Sequence, residues 1–276
     1  MRKISTLMVS VLCMMMPVGA EAQVPTAFVS KGATDIQAQP HTVTQTNSGA
    51  QLAAIDPMVR SITMDDGLPS NAVRSVVQGS KGYMWFGTDN GLCRFDGYDV
   101  KTYYNPFTTV DQFVSALTAC EEGLLVGCNN GAYLFCNATD RFQKLSDKIT
   151  APVLNFSLDG DQNVWISTNG QGVFRYNRTT HELHQYPMKN IQGKVQSTLV
   201  DANNQVWMLC NHGEASIYHL NKSTDQFEAF PLKGDATMFH GMAMLATPDG
   251  NVYVGTWENG LYKLNADGSA EQLISG

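Results

Sequence analysis

Residues 82–97, GYMWFGTDNGLCRFDG, set one Trp, four Gly and two Asp among strand-forming apolar residues. Such a stretch is either a phosphate-cradling loop or a structural unit that recurs. A G-x-G-x-x-G cradle needs a helix behind its last glycine. Here Gly91 is followed by Leu-Cys-Arg-Phe, a strand pattern.

The stretch does recur. GLLVGCNNGAYLFCNATDRFQKL, QNVWISTNGQGVFRYNRTTHELHQY, NQVWMLCNHGEASIYHLNKSTDQFEAF and GNVYVGTWENGLYKLNADGSAEQL repeat its plan. The bulky strand residue falls at Trp85, Leu125, Trp165, Trp207 and Tyr253, in steps of 40, 40, 42 and 46 residues. Three positions on come Thr88, Cys128, Thr168, Cys210 and Thr256, then a glycine-bearing turn and a second apolar strand. That strand ends at Asp96, Asn137, Asn177, Asn221 or Asn265.

Each repeat reads as a four-stranded antiparallel meander. A strand of small and apolar residues (AVRSVVQ, LNFSLD) leads to a tight polar turn and the aromatic strand. An Asn-Gly or Asp-Gly type of turn supplies the positive φ that a short hairpin needs. A third strand, an Asx turn and a more polar fourth strand complete the unit. One such sheet cannot bury both of its faces, and units of this length stack radially as propeller blades. The fold expected is all-β, a β-propeller with blades near 72–104, 113–146, 153–187, 195–231 and 240–275. The Trp and Tyr residues should pack between blades, with the fourth strands facing solvent.

Residues 58–64, MVRSITM, are expected as a strand that would complete a last blade on ring closure. The fifth repeat already carries its own fourth strand, AEQLIS (270–275). A closed five-bladed ring is thereby disfavoured, and the repeats read as an open part of a larger ring, with apolar surface bared at its ends.

The chain opens MRKISTLMVSVLCMMMPVGAEAQ: a basic start, an apolar run and an Ala20-Glu21-Ala22 cleavage site. Residues 1–22 are expected as a secretory signal peptide and 23–57, rich in Gln, Thr, Ala and Ser, as a disordered leader. Loss of the two basic residues and one acidic residue of 1–22 takes the net charge from −7 to −8. An acidic exported chain is poorly suited to nucleic-acid phosphates. The five cysteines beyond the leader form no C-x-x-C pair and read as buried thiols. His181 and His184 of HELH should point to opposite sides of a strand and share no metal. No metal or other cofactor is expected. The sequons at Asn137, Asn177 and Asn221 coincide with Asx turns, which account for them without a sugar.

ITMDDGLPSNAVRSVVQGSKGYMWFGTDNGLCRFDGYDVKTY, residues 62–103, resembles the two-component regulator propeller repeat. The DGLPSNAV lead-in is similar to the start of the exported sensor region of hybrid two-component sensor histidine kinases. The second repeat, with Leu125 in place of the aromatic, and the fourth, with an altered turn before Ile217 and Tyr218, follow the pattern more loosely. The resemblance implies a seven-bladed propeller, glycan sensing in the periplasm, a homodimer in the intact receptor, and membrane attachment only through C-terminal parts. It also implies a noncatalytic input domain, since kinase motifs do not occur here.

Propeller ligands usually bind the face built from loops entering each first strand, here including Asn105-Pro106-Phe107, Lys189-Asn190 and Met238-Phe239-His240, and from second-to-third-strand turns. Amides and aromatics there suit sugar hydroxyls and ring faces. On that basis Trp257, Glu258, His240, Phe239, His212, Asn90 and Asn130 are the candidate ligand contacts, with an oligosaccharide as the partner. Trp257 stands out because its sister repeats carry small polar residues there. Asn at such turns is also ordinary turn chemistry. Two other readings stay open: an exported polysaccharide or lactone lyase or hydrolase, which would need a convergent acid and base, and a protein-interaction scaffold.

Overall fold

The computed structural model describes residues 61–108, 111–187, 194–211, 216–230, 241–257, 259–265 and 269–275. The segments expected as signal peptide and leader, 1–22 and 23–57, lie outside them. The architecture is the all-β one expected: five four-stranded antiparallel sheets, each a meander in chain order. Blade 1 is β1 (Val73–Gln78), β2 (Met84–Thr88), β3 (Gly91–Phe95) and β4 (Val100–Tyr103). Blade 2 is β5 (Val114–Ala119), β6 (Gly123–Cys128), β7 (Gly131–Cys136) and β8 (Arg141–Lys144). Blade 3 is β9 (Val153–Leu158), β10 (Asn163–Thr168), β11 (Gly172–Asn177) and β12 (Leu183–Tyr186). Blade 4 is β13 (Lys194–Val200), β14 (Val206–Asn211), β15 (Ile217–Asn221) and β16 (Gln226–Ala229). Blade 5 is β17 (Gly241–Ala246), β18 (Val252–Thr256), β19 (Leu261–Leu264) and β20 (Ala270–Ile274).

The first strands β1, β5, β9, β13 and β17 lie side by side in that order, and β17 makes no comparable contact with β1. The described blades thus form an open series. Apolar clusters fill the seams between blades. Trp85, Leu92 and Tyr103 of blade 1 meet Val114, Leu124, Tyr133 and Phe135 of blade 2. Trp165, Val173 and Tyr186 of blade 3 meet Val206, Met208 and Tyr218 of blade 4. Trp85 and Trp165 are buried, and the Trp85 ring meets Phe135 edge-on at 5.2 Å. Inter-blade aromatic packing, read from the repeat, holds for both tryptophans. Sheets alternate side chains between two faces, so each needs a neighbour on either side to keep both dry.

The repeated Thr has a structural job. Thr88, Thr168 and Thr256 each donate a hydroxyl hydrogen bond to a carbonyl across the hairpin, at Gly91, Gly172 and Gly260 (2.9, 2.6 and 2.9 Å). In blade 2 the turn glycine Gly131 has φ +134°, and a Cβ there would lie 2.5 Å from the Ile149 carbonyl oxygen, so only glycine fits.

The N-terminal segment departs from expectation. Residues 61–63 are not in a strand, and Met64–Asp66 form a 3-10 turn capped by Thr63; residues 58–60 lie outside the described residues. The reason is local: Thr63 and Asp66 exchange side-chain-to-backbone hydrogen bonds, and Gly67 stops the turn at φ +104°. Ile62 and Leu68 flank that turn and bury Phe86, Cys93 and Phe95, the face of blade 1 turned away from blade 2. The segment caps the first sheet with side chains rather than with a fifth strand.

The five cysteines Cys93, Cys120, Cys128, Cys136 and Cys210 are all free, and all but Cys136 are buried. Burial raises the thiols of Cys93 and Cys120 to about 11 and those of Cys128 and Cys210 to about 12.

Every first strand also carries a bulge at the same place. One extra residue enters at Arg74, Ser115, Leu154, Gln196 and Met242, between the residue paired with the Thr or Cys of the second strand and the next pair. The extra residue leaves the two-sided alternation that serves the seams.

Candidate functional site at the loop rim

In a meander, the second-to-third-strand turns and the connections between blades emerge on one rim. The first-to-second and third-to-fourth turns emerge on the other. On the first rim the described residues build one continuous cluster where blades 1 and 2 meet.

That cluster starts at the bulge of blade 1. Arg74 makes a two-pronged ion pair with Asp89 of the β2–β3 turn, at 2.6 and 2.8 Å, and its guanidinium lies 5.6 Å from the Phe113 ring. The hydrogen bond to Asp89 raises the already high Arg74 pKa, so the pair stays charged and mutually neutralised. Next along, Asn129 of the β6–β7 turn donates to Asp111 at 2.8 Å. The half-buried Asn130 follows, with its Oδ1 oxygen buried and without a partner among the described residues. The Tyr133 hydroxyl lies beside the amides of Asn105 and Asn130; burial raises its pKa against the opposing pull of those amides.

The loop from blade 1 to blade 2 is heavily braced. Asn105 is buried, its Nδ2 donates to the Cys128 sulfur at 3.7 Å, and its Oδ1 accepts from the Phe107 amide at 2.9 Å. The Asn105 amide donates to Gln112 Oε1 at 2.6 Å, and Gln112 Nε2 donates to the Thr108 carbonyl at 2.6 Å. Two aromatics stand out of this frame. Phe107 is 52% exposed although its ring stacks on Tyr133 at 5.4 Å, and Tyr104 is 57% exposed beside the Gly91 backbone.

Of the residues predicted from sequence, Asn90 is exposed on this rim, with its backbone amide bound to Thr88 Oγ1 at 3.1 Å. Asn130 lies in the cluster just described. Trp257 follows β18 and is 56% exposed. Phe239, His240, His212 and Glu258 lie outside the described residues. Asn90 and Asn130 belong to adjacent blades that meet at the cluster; Trp257 belongs to blade 5. The sequence places Asn105-Pro106-Phe107 among the loops of this face without singling Phe107 out as a contact, and it does not point to Tyr104. The signal was an aromatic within a polar, Asn-Pro-bearing connection and a second Tyr placed one residue past the strand end.

The opposite rim is scaffold. Asp159 and Asp201 each take an indole N–H, from Trp165 at 2.8 Å and Trp207 at 2.9 Å, with their other oxygens accepting turn amides. Asp96, Asn177 and Asn221 accept backbone amides as Asx turns do, which meets the sequon expectation at Asn177 and Asn221. His181 sits in a turn at φ +60°, not in a strand as the HELH reading had it, and its Nδ1 meets the Tyr176 hydroxyl at 2.8 Å. His184 lies in the four-residue β12 and His181 precedes it, so strand alternation does not relate the pair. Among the described residues no group of three or more His, Cys, Asp and Glu could hold a metal. An open depression of about 590 Å³ on this rim is lined by Gln78, Gly79, Ser80, Gly82, Ala119, Cys120 and Glu121, with no aromatic and one carboxylate. Its lining offers a sugar ring nothing to stack on.

A family model described as two component regulator propeller matches residues 67–90. No curated protein matches the sequence. Among solved structures, the chain is similar to the extracellular domain of BT4673 from B. thetaiotaomicron, described as a hybrid two component system: 19% identity and TM-score 0.64, covering 74% of this chain and 28% of that one. The extracellular domain of BT3049 from the same organism matches at 18% identity and TM-score 0.64, covering 78% and 32%. Virginiamycin B lyase from Staphylococcus aureus matches at 15% identity and TM-score 0.61, covering 74% and 71%. The chain spans less than a third of the two B. thetaiotaomicron domains. The family match covers only residues 67–90, and the chain takes the β-propeller fold.

Proposed function

We propose that this chain is an exported, noncatalytic sensory domain of a two component signalling receptor, and that it detects an oligosaccharide at its loop rim. The observation that carries the reading is the family match at residues 67–90, which falls on the β1–β2 segment leading into that rim. The basic, apolar and Ala20-Glu21-Ala22 segments at the start fit export to the periplasm. The rim supports binding without turnover: its carboxylates at the blade 1–2 boundary are engaged, Asp89 by Arg74 and Asp111 by Asn129. General acid–base work needs a carboxyl or imidazole poised to exchange a proton with substrate. Asn90, Asn130 and Trp257 are the sequence-predicted contacts that this reading keeps.

The test is calorimetric titration of the purified protein with defined oligosaccharides, with the mixtures then analysed for products. Saturable heat without product supports the reading. Cleaved or eliminated product would move the chain to the lyase or hydrolase class.

A further inference from the structure

We infer that the blade 1–blade 2 boundary holds a subsite for a neutral pyranose unit, stacked on the exposed faces of Phe107 and Tyr104 and bonded by the Asn90 and Asn130 amides. The inference rests on the oligosaccharide reading and goes beyond it by fixing place and class.

Three observations converge on this spot. First, Phe107 and Tyr104 each leave more than half of a large aromatic side chain in water. Stray exposed aromatics are ordinary, but these two flank a buried Asn105 whose side chain holds the loop from both ends. Gln112 closes the loop a second time through Asn105 and Thr108. Apolar surface on a pre-ordered frame is what binding uses, because the ordering cost is already met before the ligand arrives.

Second, the backing is rigid. Phe107 stacks on Tyr133, whose ring is itself buried and set edge-on against Phe142. The outer face of Phe107 is therefore a fixed platform, and a pyranose presents the flat C–H face that such a platform takes.

Third, the polar complement is amide-rich and without free charge. Arg74 is neutralised by Asp89 in a two-pronged pair, and the Asp111 carboxylate is held by Asn129. Amides donate and accept to hydroxyls without preferring an anion. The chain as a whole carries net charge −7. The cations at this boundary are paired, Arg74 with Asp89 and Lys144 with Asp147, while the exposed Lys148 and Lys194 lie on the connections into blades 3 and 4. Sulfated and uronate-bearing sugars find no free cation at the blade 1–blade 2 boundary, so the unit is a neutral one.

The experiment uses the full chain without residues 1–22 and four probes: cellohexaose, xylohexaose, mannohexaose and a chondroitin hexasaccharide. Binding of at least one neutral probe is expected, weakened about tenfold by Phe107→Ala, as for loss of one aromatic stacking contact. Phe107→Tyr should bind nearly as well as the parent. Tyr104→Ala tests the second exposed aromatic of the same connection should Phe107→Ala not fold. Tyr98→Ala, an 86% exposed ring in the β3–β4 turn of the other rim, should leave affinity unchanged. A neutral probe bound equally by the parent, Phe107→Ala and Tyr104→Ala overturns the subsite and leaves the oligosaccharide reading standing. Binding of chondroitin alone overturns the neutral class. Binding of none of the four overturns both.

Discussion

Gly127 of blade 2 faces Val153 of blade 3 so closely that a Cβ on the glycine would lie 2.8 Å from the valine Cγ1. Gly87 repeats the relationship one blade earlier, at 2.7 Å from Val114 Cγ1. In each case the incoming first strand presses its valine onto bare backbone. The corresponding Gly255 of blade 5 has nothing within 4 Å. Gly127→Ala and Gly87→Ala should each cost about 1–3 kcal/mol, the range for overpacking a filled seam. Gly255→Ala should be neutral or stabilise by up to about 1 kcal/mol, since alanine loses less freedom on folding. Urea denaturation midpoints of the three variants decide the matter, and a Gly255 variant as damaged as the others would contradict it.

Asp159 gathers the β9–β10 turn and the Trp165 indole into one carboxylate, accepting from the Asp161 and Asn163 amides, Asn163 Nδ2 and Trp165 Nε1. Asp159→Ala leaves a largely buried indole N–H unpaired, and should lower stability by about 2 kcal/mol. Tryptophan emission is the direct readout, because only Trp165 loses its partner. A variant with unchanged emission and midpoint would remove the carboxylate from the account.

Arg175 of blade 3 reaches Asp225 of blade 4 with two nitrogens, at 2.9 and 3.2 Å, and Tyr186 donates its hydroxyl to the same carboxylate at 2.8 Å. Burial works to raise the Asp225 pKa, but the Tyr186 and Arg175 bonds outweigh it and hold the carboxyl below its usual value. A folded pKa below the unfolded one means stability that is complete above the ordinary carboxylate range near 4. That stability is lost as pH falls through the lowered value. The pair is partly exposed, so the effect should stay within about 1 kcal/mol. Stability should fall on acidification below about pH 4, and Asp225→Asn should show a shallower fall.

Among the described cysteines, Cys136 should be the reactive thiol of the folded protein. Hydrogen bonds from the Thr139 hydroxyl and the Ala138 and Thr139 backbone lower its pKa, whereas burial raises those of Cys93, Cys120, Cys128 and Cys210. At about pH 8 a disulfide reagent such as dithionitrobenzoate should label it well before the others, because the thiolate is the attacking species. Cys136→Ser should abolish the fast phase. Denaturant should release the remaining thiols.

The blades were legible because their signal was redundant: one plan written five times, with the bulky residue and the Thr or Cys three positions on in fixed register. The inter-blade place of Trp85 and Trp165 followed, since a two-faced sheet needs neighbours. Three things were hidden. A strand pattern cannot show a bulge, so the extra residues at Arg74, Ser115, Leu154, Gln196 and Met242 looked like ordinary strand positions. The segment at 61–66 has an apolar alternation, but the Thr63–Asp66 exchange and Gly67 overrule it in favour of a turn. The rim aromatics were obscured because attention to Asn-bearing turns favours residues whose chemistry already serves the turn. Tyr104, and Phe107 as a fixed platform rather than one loop residue among several, became visible only through the bonds of Asn105 and Gln112, which no sequence pattern states.

The five bulges separate two duties within one strand. Residues on either side of each bulge are tied to the seams, where volume is fixed by a neighbour. The added residue differs from blade to blade, Arg, Ser, Leu, Gln and Met, and its contacts differ with it: Arg74 pairs with Asp89, and Ser115 Oγ donates to the Val153 carbonyl of blade 3. Duplicating a blade therefore copies a protected core together with one position outside the seam alternation, where each copy can acquire its own chemistry along the inner edge.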